Sequence, residues 1–184
     1  GLSVLSLLPE PTAAGFAHAL NKQGNSVTFA VYDFGGGTFD VSIIKIEGDQ
    51  IEVLATEGIA KLGGNDLSNC IFKRVLDELE AKYGKRPTCK DDPLLYNDIK
   101  RRVEDSKISL ANREHGPLVI GYKGDQHVIK FTQKWFHKEI DPLIDQTLVA
   151  LDKALTAAGV DINSLNEIIM VGGTSRSPYI QQRV

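Results

Sequence analysis

Short apolar runs broken by glycine and polar turns fill the first third of the chain. They predict strands at 27–33, 39–46 and 51–57. Because tight turns join neighbouring strands in opposite directions, these three strands are expected to form an antiparallel meander. Before them, a strand is predicted at 2–8, ended by two prolines, and a helix from 12 to about 20.

Apolar residues then recur at helical spacing, every three or four positions. The pattern predicts one helix that ends near Gly84, a second from Leu95 toward Asn112, and a third that ends at Gly159. These long amphipathic stretches contrast with the short runs before them, so the chain is predicted to mix strands and helices.

A hairpin and a strand–turn–helix unit complete the predicted elements. The hairpin strands are predicted at 118–122 and 127–131. A last strand at 168–171 leads into Gly172-Gly173, and Ser177-Pro178 has the residue types of a helix start. The chain therefore opens inside one predicted element and stops inside another, and we expect it to be a piece of a longer protein.

Composition narrows the class of protein. Of the 184 residues, 42% are hydrophobic and 24% charged, the usual balance of a globular domain. The net charge is −3 with both signs mixed, so nucleic acid is not expected as the main partner. No apolar run approaches the ~20 residues that span a bilayer, so no membrane partner is expected. Cys70 and Cys89 are too few for a zinc site or disulfide framework, and Cys70 is expected to be a buried thiol.

The segment Asp33-Phe34-Gly35-Gly36-Gly37-Thr38-Phe39-Asp40 joins two predicted strands. Consecutive glycines let backbone N–H groups close around phosphate oxygens. Thr38 adds a hydroxyl, while Asp33 and Asp40 supply carboxylates suited to Mg²⁺ or its waters. The alternative is a Gly-rich hairpin with acidic flanks, although a plain hairpin rarely needs three glycines.

A second glycine turn, Gly172-Gly173-Thr174-Ser175-Arg176, separates a predicted buried strand from a helix start. Such an arrangement is typical of anion and nucleotide sites, and the Arg176 guanidinium could stack on a base. An ordinary strand-to-helix connection is an equal alternative. Neither the P-loop nor the Rossmann glycine pattern occurs in the chain.

Glu10 is the third candidate, because it lies between two prolines at the end of a predicted strand. Carboxylates at strand ends are well placed for catalysis, yet a lone glutamate is more often solvated at the surface. From the residues alone, both interpretations of Glu10 stay open.

Five segments, in matching order over nearly the whole chain, resemble motifs of the Hsp70 ATPase domain. The first three segments resemble the family motifs "NEPTAAA", "DLGGGTFD" and "LGGEDFD". The fourth is similar to the helix that touches adenine and ribose, and the fifth resembles "GGSTRIP". In this chain they are Leu8-Pro9-Glu10-Pro11-Thr12-Ala13-Ala14, Asp33 to Asp40, Leu62-Gly63-Gly64-Asn65-Asp66, Val103 to Leu110 and Val171 to Pro178.

The resemblance implies an α/β fold, the second lobe of an actin-like (ribonuclease H-like) ATPase. A mixed sheet packed by helices would form a core subdomain from 1–61 and 160–184. Residues 62–159 would form a smaller, peripheral α+β subdomain that rotates as nucleotide comes and goes.

The resemblance also implies roles for particular residues around ATP or ADP and Mg²⁺. The β- and γ-phosphates would be held by Gly35, Gly36, Gly37 and Thr38. Catalytic groups around the attacking water would be Glu10, Asp33, Thr38 and Asp40, with Asp33 and Asp40 holding Mg²⁺ through water. Gly172, Gly173 and Arg176 would enclose the adenosine with Glu104 and Lys107, and Gly63 and Gly64 would also bind the cofactor.

This chain departs from the family pattern at several places. Pro9 stands where the family usually has Asn, and Asn65 and Leu67-Ser68 replace the usual Glu and Phe-Asp. Ala111 occupies a position where many members carry a ribose-contacting Ser. The phosphate motif is therefore expected to be intact, and the base pocket slightly weakened.

The parent protein is expected to be an ATP-driven chaperone of the cytoplasm or an organellar matrix. Its partners would be unfolded polypeptide clients, a J-domain co-chaperone and a nucleotide exchange factor. Two alternatives stay open: an Hsp70-like scaffold that binds ATP without hydrolysing it, and another kinase of the actin superfamily.

We predict that the 184-residue chain alone binds nucleotide weakly and hydrolyses ATP very slowly or not at all. In the family, the first phosphate loop and the catalytic lysine come from the lobe that precedes this segment, and in-line attack needs both sides of the site. Phosphate release from ATP is the measurement. Turnover at the rate of a complete Hsp70 would contradict the prediction.

Overall fold

The computed structural model describes Ala13 and residues 26–48 and 50–184. The strand predicted at 2–8 lies outside these residues, as does the helix predicted at 12 to about 20 apart from Ala13, so both stay predictions. Within the described residues, no helix is long and apolar enough to cross a membrane.

The described elements follow the predicted order and type. They are β1 (Val27–Phe34), β2 (Phe39–Glu47), β3 (Gln50–Ile59), α1 (Gly64–Tyr83), α2 (Pro93–Asn112), β4 (His115–Tyr122), β5 (Asp125–Thr132), α3 (Gln133–Ala158), β6 (Glu167–Val171) and α4 (Pro178–Arg183), with 3₁₀ turns at Ile162–Ser164 and Thr174–Arg176.

The hairpin strands are longer than predicted. Gly116 and Pro117 lie inside β4, opposite Phe131 and Lys130 of β5. Both residue types usually weaken a strand, which is why the sequence placed its start later. A two-stranded ladder tolerates them, because each strand has an open edge where a missing N–H group costs little.

Four strands form a mixed sheet in the order β3-β2-β1-β6. The predicted meander is confirmed, since β1–β2 and β2–β3 pair antiparallel. β6 joins the other side of β1 in parallel, from Phe29 opposite Glu167 to Asp33 opposite Val171. The carboxyl ends of β1 and β6 therefore lie side by side.

Successive side chains of β1 point to opposite faces of this sheet, so alternate residues share a face. On one face, buried Val27, Phe29 and Val31 cluster with Ile44 and Ile46 of β2. Asp33 is the next residue of that alternation, so the apolar face ends in a carboxylate at the carboxyl edge.

Three buried aromatic rings occupy the opposite face. Tyr32 makes edge-to-face contacts with Phe34 and Phe39, at centroid distances of 6.3 and 4.6 Å. The Tyr32 hydroxyl also shares a 2.5 Å hydrogen bond with the buried Thr147 hydroxyl of α3. This contact fixes the C-terminal half of α3 on the sheet.

The chain folds into two compact units. One comprises the described residues up to Leu62 together with Gln146–Arg176, and it holds the four-stranded sheet. The other comprises Gly63–Asp145 and Ser177–Val184, with α1, α2, the hairpin, the first half of α3, and α4. The subdomain boundaries implied by the resemblance stay a prediction.

The second unit has its own apolar core. α1 packs on α2, and α2 packs on β4. Its buried side chains come from the helices and from the inner face of the hairpin, and they include Leu67, Ile71, Val75, Leu79, Ile99, Val103, Leu110, Leu118, Ile120, Ile129, Phe131, Phe136, Ile140, Ile144 and Ile180. Cys70, expected to be a buried thiol, is only half-buried, because it lies beside the buried stripe of α1 and not on it.

We predict that Tyr32→Phe lowers the free energy of unfolding at pH 7 by about 1 kcal/mol, the usual net value of one hydrogen bond. Burial raises the pKa of Tyr32 from its ordinary value of 10.0 to about 12, and the hydrogen bond with Thr147 offsets part of the rise. Between pH 10 and 12 the unfolded tyrosine loses its proton while the folded one keeps it, so stability falls as pH rises.

Urea unfolding of the native chain and of Tyr32→Phe from pH 7 to 11 tests this prediction. The variant shows how much stability the titration of all other groups removes. The native chain should lose stability more steeply above pH 10 than the variant does. Parallel pH profiles would contradict the assignment of a buried, neutral Tyr32.

Candidate functional site

Both glycine turns predicted to bind phosphate or nucleotide lie at the same edge of the sheet. One follows β1 at Gly35 and the other follows β6 at Gly172, and these two strands pair in parallel. In open α/β sheets, ligands bind outside the carboxyl ends of parallel strands. The sheet therefore brings together two segments that are 137 positions apart in the sequence.

Gly172 packs directly against the end of β1. Its φ is +89°, and a Cβ added there would lie 2.4 Å from the Phe34 carbonyl oxygen and 2.7 Å from Asp33 Oδ1. Any side chain would need both a strained backbone and a displaced strand. The close approach of the two turns thus requires glycine at this position.

Thr174 adds a direct bond between the two turns. Its hydroxyl donates to the carbonyl oxygen of Gly35 at 2.8 Å. Ser175 closes its own turn by donating to the Gly172 carbonyl at 2.8 Å. Thr174 was not among the predicted site residues. Its position directly after two glycines was the one feature of the sequence that could have indicated it.

The tip of the first turn is open. Gly36, Gly37 and Thr38 are exposed, and a Cβ added at either glycine would meet no heavy atom of the described residues within 4 Å. The turn is closed below its tip by a bond from the Gly35 N–H to the Thr38 carbonyl, 3.1 Å long. The open tip leaves room for a ligand beside these backbone amides, and consecutive amides of glycine are suited to phosphate oxygens.

Asp33 and Asp40 are direct cross-strand partners in β1 and β2. Their carboxylates therefore lie on one face of the sheet, where like charges repel. Asp33 Oδ1 lies close to Gly172, and Asp40 Oδ1 lies against Gly58 of β3, where an added Cβ would come within 2.5 Å. Gly58 was not singled out from the sequence, because the strand predicted there ended at Glu57 and a glycine indicates a close approach when it lies inside a strand.

The paired carboxylates fit a Mg²⁺ ion held together with a nucleotide. Across residues 26–48 and 50–184, no group of three or more His, Cys, Asp or Glu side chains could hold a metal by itself. Mg²⁺ that accompanies phosphates usually takes one or two carboxylates, with water and phosphate oxygens as its other ligands. Asp33 and Asp40 have the chemistry that such a site needs.

Four other predicted residues lie in the second unit, at the start of α1 and on α2. Gly63 precedes α1 and donates its N–H to Asp66 Oδ2 at 2.8 Å. Lys107 of α2 donates to the Gly64 carbonyl at 3.1 Å and pairs with Glu104 Oε2 at 2.8 Å. The structure thus brings these four together, and their role in binding stays a prediction.

Glu104 is held as a carboxylate. Partial burial raises the pKa of its side chain, but the hydrogen bonds from Lys107 and Ser68 and the Lys107 charge outweigh that effect and place the pKa below its ordinary value of 4.5. At neutral pH the group is therefore an acceptor for donors such as sugar hydroxyls.

Arg176 is exposed at the end of the 3₁₀ turn Thr174–Arg176, which the sequence did not predict. The helix start predicted at Ser177-Pro178 is confirmed, although the Ser177 side chain makes no capping hydrogen bond. Glu10 lies outside the described residues, so its predicted catalytic role stays a prediction.

The helix α4 that follows this turn is anchored within the second unit. Tyr179 and Arg183 both donate to Asp141 Oδ1 of α3, each at 2.5 Å, and Arg183 also reaches Asp145 at 2.6 Å. The Tyr179 ring stacks on His137 at a centroid distance of 3.6 Å. This network restrains α4 although the helix is only six residues long.

Comparison with known protein families supports the resemblance drawn from the motifs. The family described as "Hsp70 protein" matches residues 1–184. The match covers both units and every predicted site residue, and the mixed sheet with helices agrees with the architecture of that family. The chain therefore belongs to the Hsp70 family, and its described residues are part of that family's actin-like ATPase fold.

Proposed function

We propose that this chain binds ATP or ADP with Mg²⁺ and, in the complete protein, takes part in ATP hydrolysis that drives the binding and release of unfolded polypeptide. One observation carries the proposal: two glycine turns from distant parts of the sequence are joined at the carboxyl ends of β1 and β6. Gly172 packs on Phe34 and Thr174 bonds to Gly35, which is a costly arrangement unless the edge has a use.

The phosphate end of the proposed site is the first turn. Backbone amides at Gly36 and Gly37 and the Thr38 hydroxyl would donate to phosphate oxygens. Asp33 and Asp40 would orient the attacking water and hold Mg²⁺ through water. When bound, Mg²⁺ supplies positive charge that offsets charge on the phosphates.

Residues proposed for adenosine recognition occur in each unit. Glu104 would accept a hydrogen bond from a ribose hydroxyl, and Lys107 would keep that carboxylate ionised. Arg176 is exposed and carries a planar guanidinium suited to stacking on adenine. Gly172 and Gly173 would let backbone approach the nucleoside closely, and Gly63 and Gly64 would do so elsewhere on the nucleotide.

Hydrolysis would depend on positioning and on electrostatic stabilisation, as in other phosphoryl transfers. The groups proposed around the reacting water are Asp33, Thr38, Asp40 and Glu10. In the complete protein, the partners proposed from the family are a J-domain co-chaperone, a nucleotide exchange factor and unfolded polypeptide. A scaffold that binds ATP without hydrolysis would share the binding site and differ only in turnover.

An NMR titration of the isotope-labelled chain with Mg²⁺-ADP, up to millimolar levels, tests the proposed binding. We expect chemical shift changes to cluster at Gly35–Thr38, at Glu104 and Lys107, and at Gly172–Arg176. Addition of Mg²⁺ alone serves as the control for ion effects. Changes scattered over the surface, or none at these positions, would refute the proposed site.

Asp40→Asn tests the proposed use of the paired carboxylates. We expect the nucleotide-free variant to be as stable as the native chain or slightly more stable, because the repulsion between Asp33 and Asp40 is gone. Its affinity for ADP in the presence of Mg²⁺ should fall about tenfold or more, while affinity in EDTA should change little.

Thermal unfolding with ADP, in Mg²⁺ and in EDTA, measures both effects, because a ligand that binds the folded state raises its stability. Asp152→Asn, which changes an exposed carboxylate on α3, is the matched control. An Asp40→Asn variant that retains the full Mg²⁺-dependent stabilisation would rule out a metal role for Asp40.

A further inference from the structure

We propose that Ser68 is a positioning residue for nucleotide recognition, because its hydroxyl fixes the Glu104 carboxylate for a ribose hydroxyl. The inference rests on the proposed function, in which Glu104 contacts the ribose, and it adds a residue that sets how well the ribose is recognised. Ser68 lies on α1 and Glu104 on α2, so the contact links two rigid elements of one unit.

The helix packing brings the two side chains together. Leu67 of α1 and Val103 of α2 are both buried in the core of the second unit, with 3% and 1% of their surface exposed. Ser68 and Glu104 are the next residues along each helix, at the margin of the same interface. A site held by two packed helices is more accurately positioned than one held by a loop.

The hydrogen bonds at Glu104 converge on one oxygen. Ser68 Oγ lies 2.8 Å from Glu104 Oε2, and Lys107 Nζ lies 2.8 Å from that same oxygen. Because both bonds are made to Oε2, the orientation of the carboxylate is defined, and among the described residues nothing bonds Oε1, which is left to face a ligand.

The Ser68 hydroxyl has a single hydrogen and two acceptors within reach. One is Glu104 Oε2, and the other is the Gly64 carbonyl at 3.0 Å, four residues earlier in the same helix. An ionised carboxylate is the stronger acceptor, so the hydrogen goes to Glu104 when that group is charged. Lys107 already donates to the Gly64 carbonyl, which leaves this carbonyl satisfied.

Lys107 alone would hold Glu104 less firmly. The two residues lie three positions apart on α2, so their ion pair restrains the carboxylate from one helix only. Lys107 is largely covered, with 16% of its side chain exposed, whereas Glu104 has 48% exposed and retains rotamer freedom. The bond from α1 supplies a second, independent restraint on that rotamer.

A ligand can reach this carboxylate. Ser68 and Glu104 line an open pocket of about 370 Å³ between α1 and α2. Its other walls include the Phe72 ring and the Lys100 side chain, so apolar and charged groups are both present. The Lys107 ammonium beside the pocket favours an ionised Glu104.

Serine at this position is a departure with a chemical consequence. The family motif that this segment resembles ends in aspartate there. An aspartate at 68 would place a second carboxylate near Glu104, with no proton to donate at neutral pH and a like charge that raises the pKa of its neighbour. The donor contributed by Ser68 is therefore a feature of this chain.

The test compares Ser68→Ala with Ser68→Thr, which keeps the hydroxyl, and with Ser109→Ala as a matched control. Ser109 is also half-buried and lies on α2. The first measurement is an NMR pH titration of the Glu104 side-chain carbon without nucleotide. The second is the affinity for ADP, 2′-deoxy-ADP and 3′-deoxy-ADP, each with Mg²⁺.

We expect Ser68→Ala to raise the pKa of Glu104 and to weaken ADP binding about threefold to tenfold. One of the two deoxy nucleotides lacks the hydroxyl that Glu104 binds, and the affinity of Ser68→Ala for that analogue should stay nearly unchanged. The ratio of the affinities for ADP and for that analogue is therefore expected to fall. Ser68→Thr and Ser109→Ala should resemble the native chain in both measurements.

The remaining outcomes overturn the inference in distinguishable ways. If Ser68→Ala changes neither the Glu104 pKa nor the preference for ADP over the deoxy nucleotides, Ser68 has no positioning role. ADP binding by the native chain would in that case leave the proposed function intact. Equal losses for ADP and both deoxy nucleotides would show a general disturbance and not a ribose contact. No ADP binding by the native chain at millimolar levels would overturn the proposed function and this inference together.

Discussion

Parallel pairing between β1 and β6 is the constraint on which the candidate phosphate site depends. The register from Phe29–Glu167 to Asp33–Val171 makes both strands end at one edge, so both glycine turns leave the sheet there. The edge is then fixed by a contact that only glycine allows, Gly172 on the Phe34 carbonyl. A shift of one residue would move Asp33 to the opposite face and separate the turn from its partner.

The same edge contains several energetically unfavourable features, and the buried apolar side chains of the sheet offset their cost. Asp33 and Asp40 face each other as like charges, and Gly172 adopts a left-handed backbone. Below them β1 and β2 are largely buried on both faces, with Phe29 and Tyr32 fully inaccessible to solvent. Proteins commonly offset strain and repulsion at a functional site with such a core, because binding groups seldom pack as well as apolar ones.

The second unit positions its groups by a different principle. Two long helices share an apolar interface, and polar residues at the margin of that interface meet across it. Ser68 and Lys107 reach Glu104 from different helices, and the Gly64 carbonyl accepts from Lys107. Helix packing therefore sets the orientation of the carboxylate, and the hydrogen bonds refine it.

Local sequence was sufficient for most elements and for the glycine turns, because hydrophobic period and turn residues act over a few positions. Strand β1, the end of α1 near Gly84 and the helix start at Ser177 all follow from such short patterns. Contacts between distant segments did not follow from it. Thr174 on Gly35, Gly58 against Asp40 and Ser68 on Glu104 depend on strand order and helix packing, which are properties of the whole fold. The sequence thus determined which residue types are present for nucleotide chemistry, and the tertiary structure alone decided which of them meet, since that depends on pairing and burial between segments far apart in the chain.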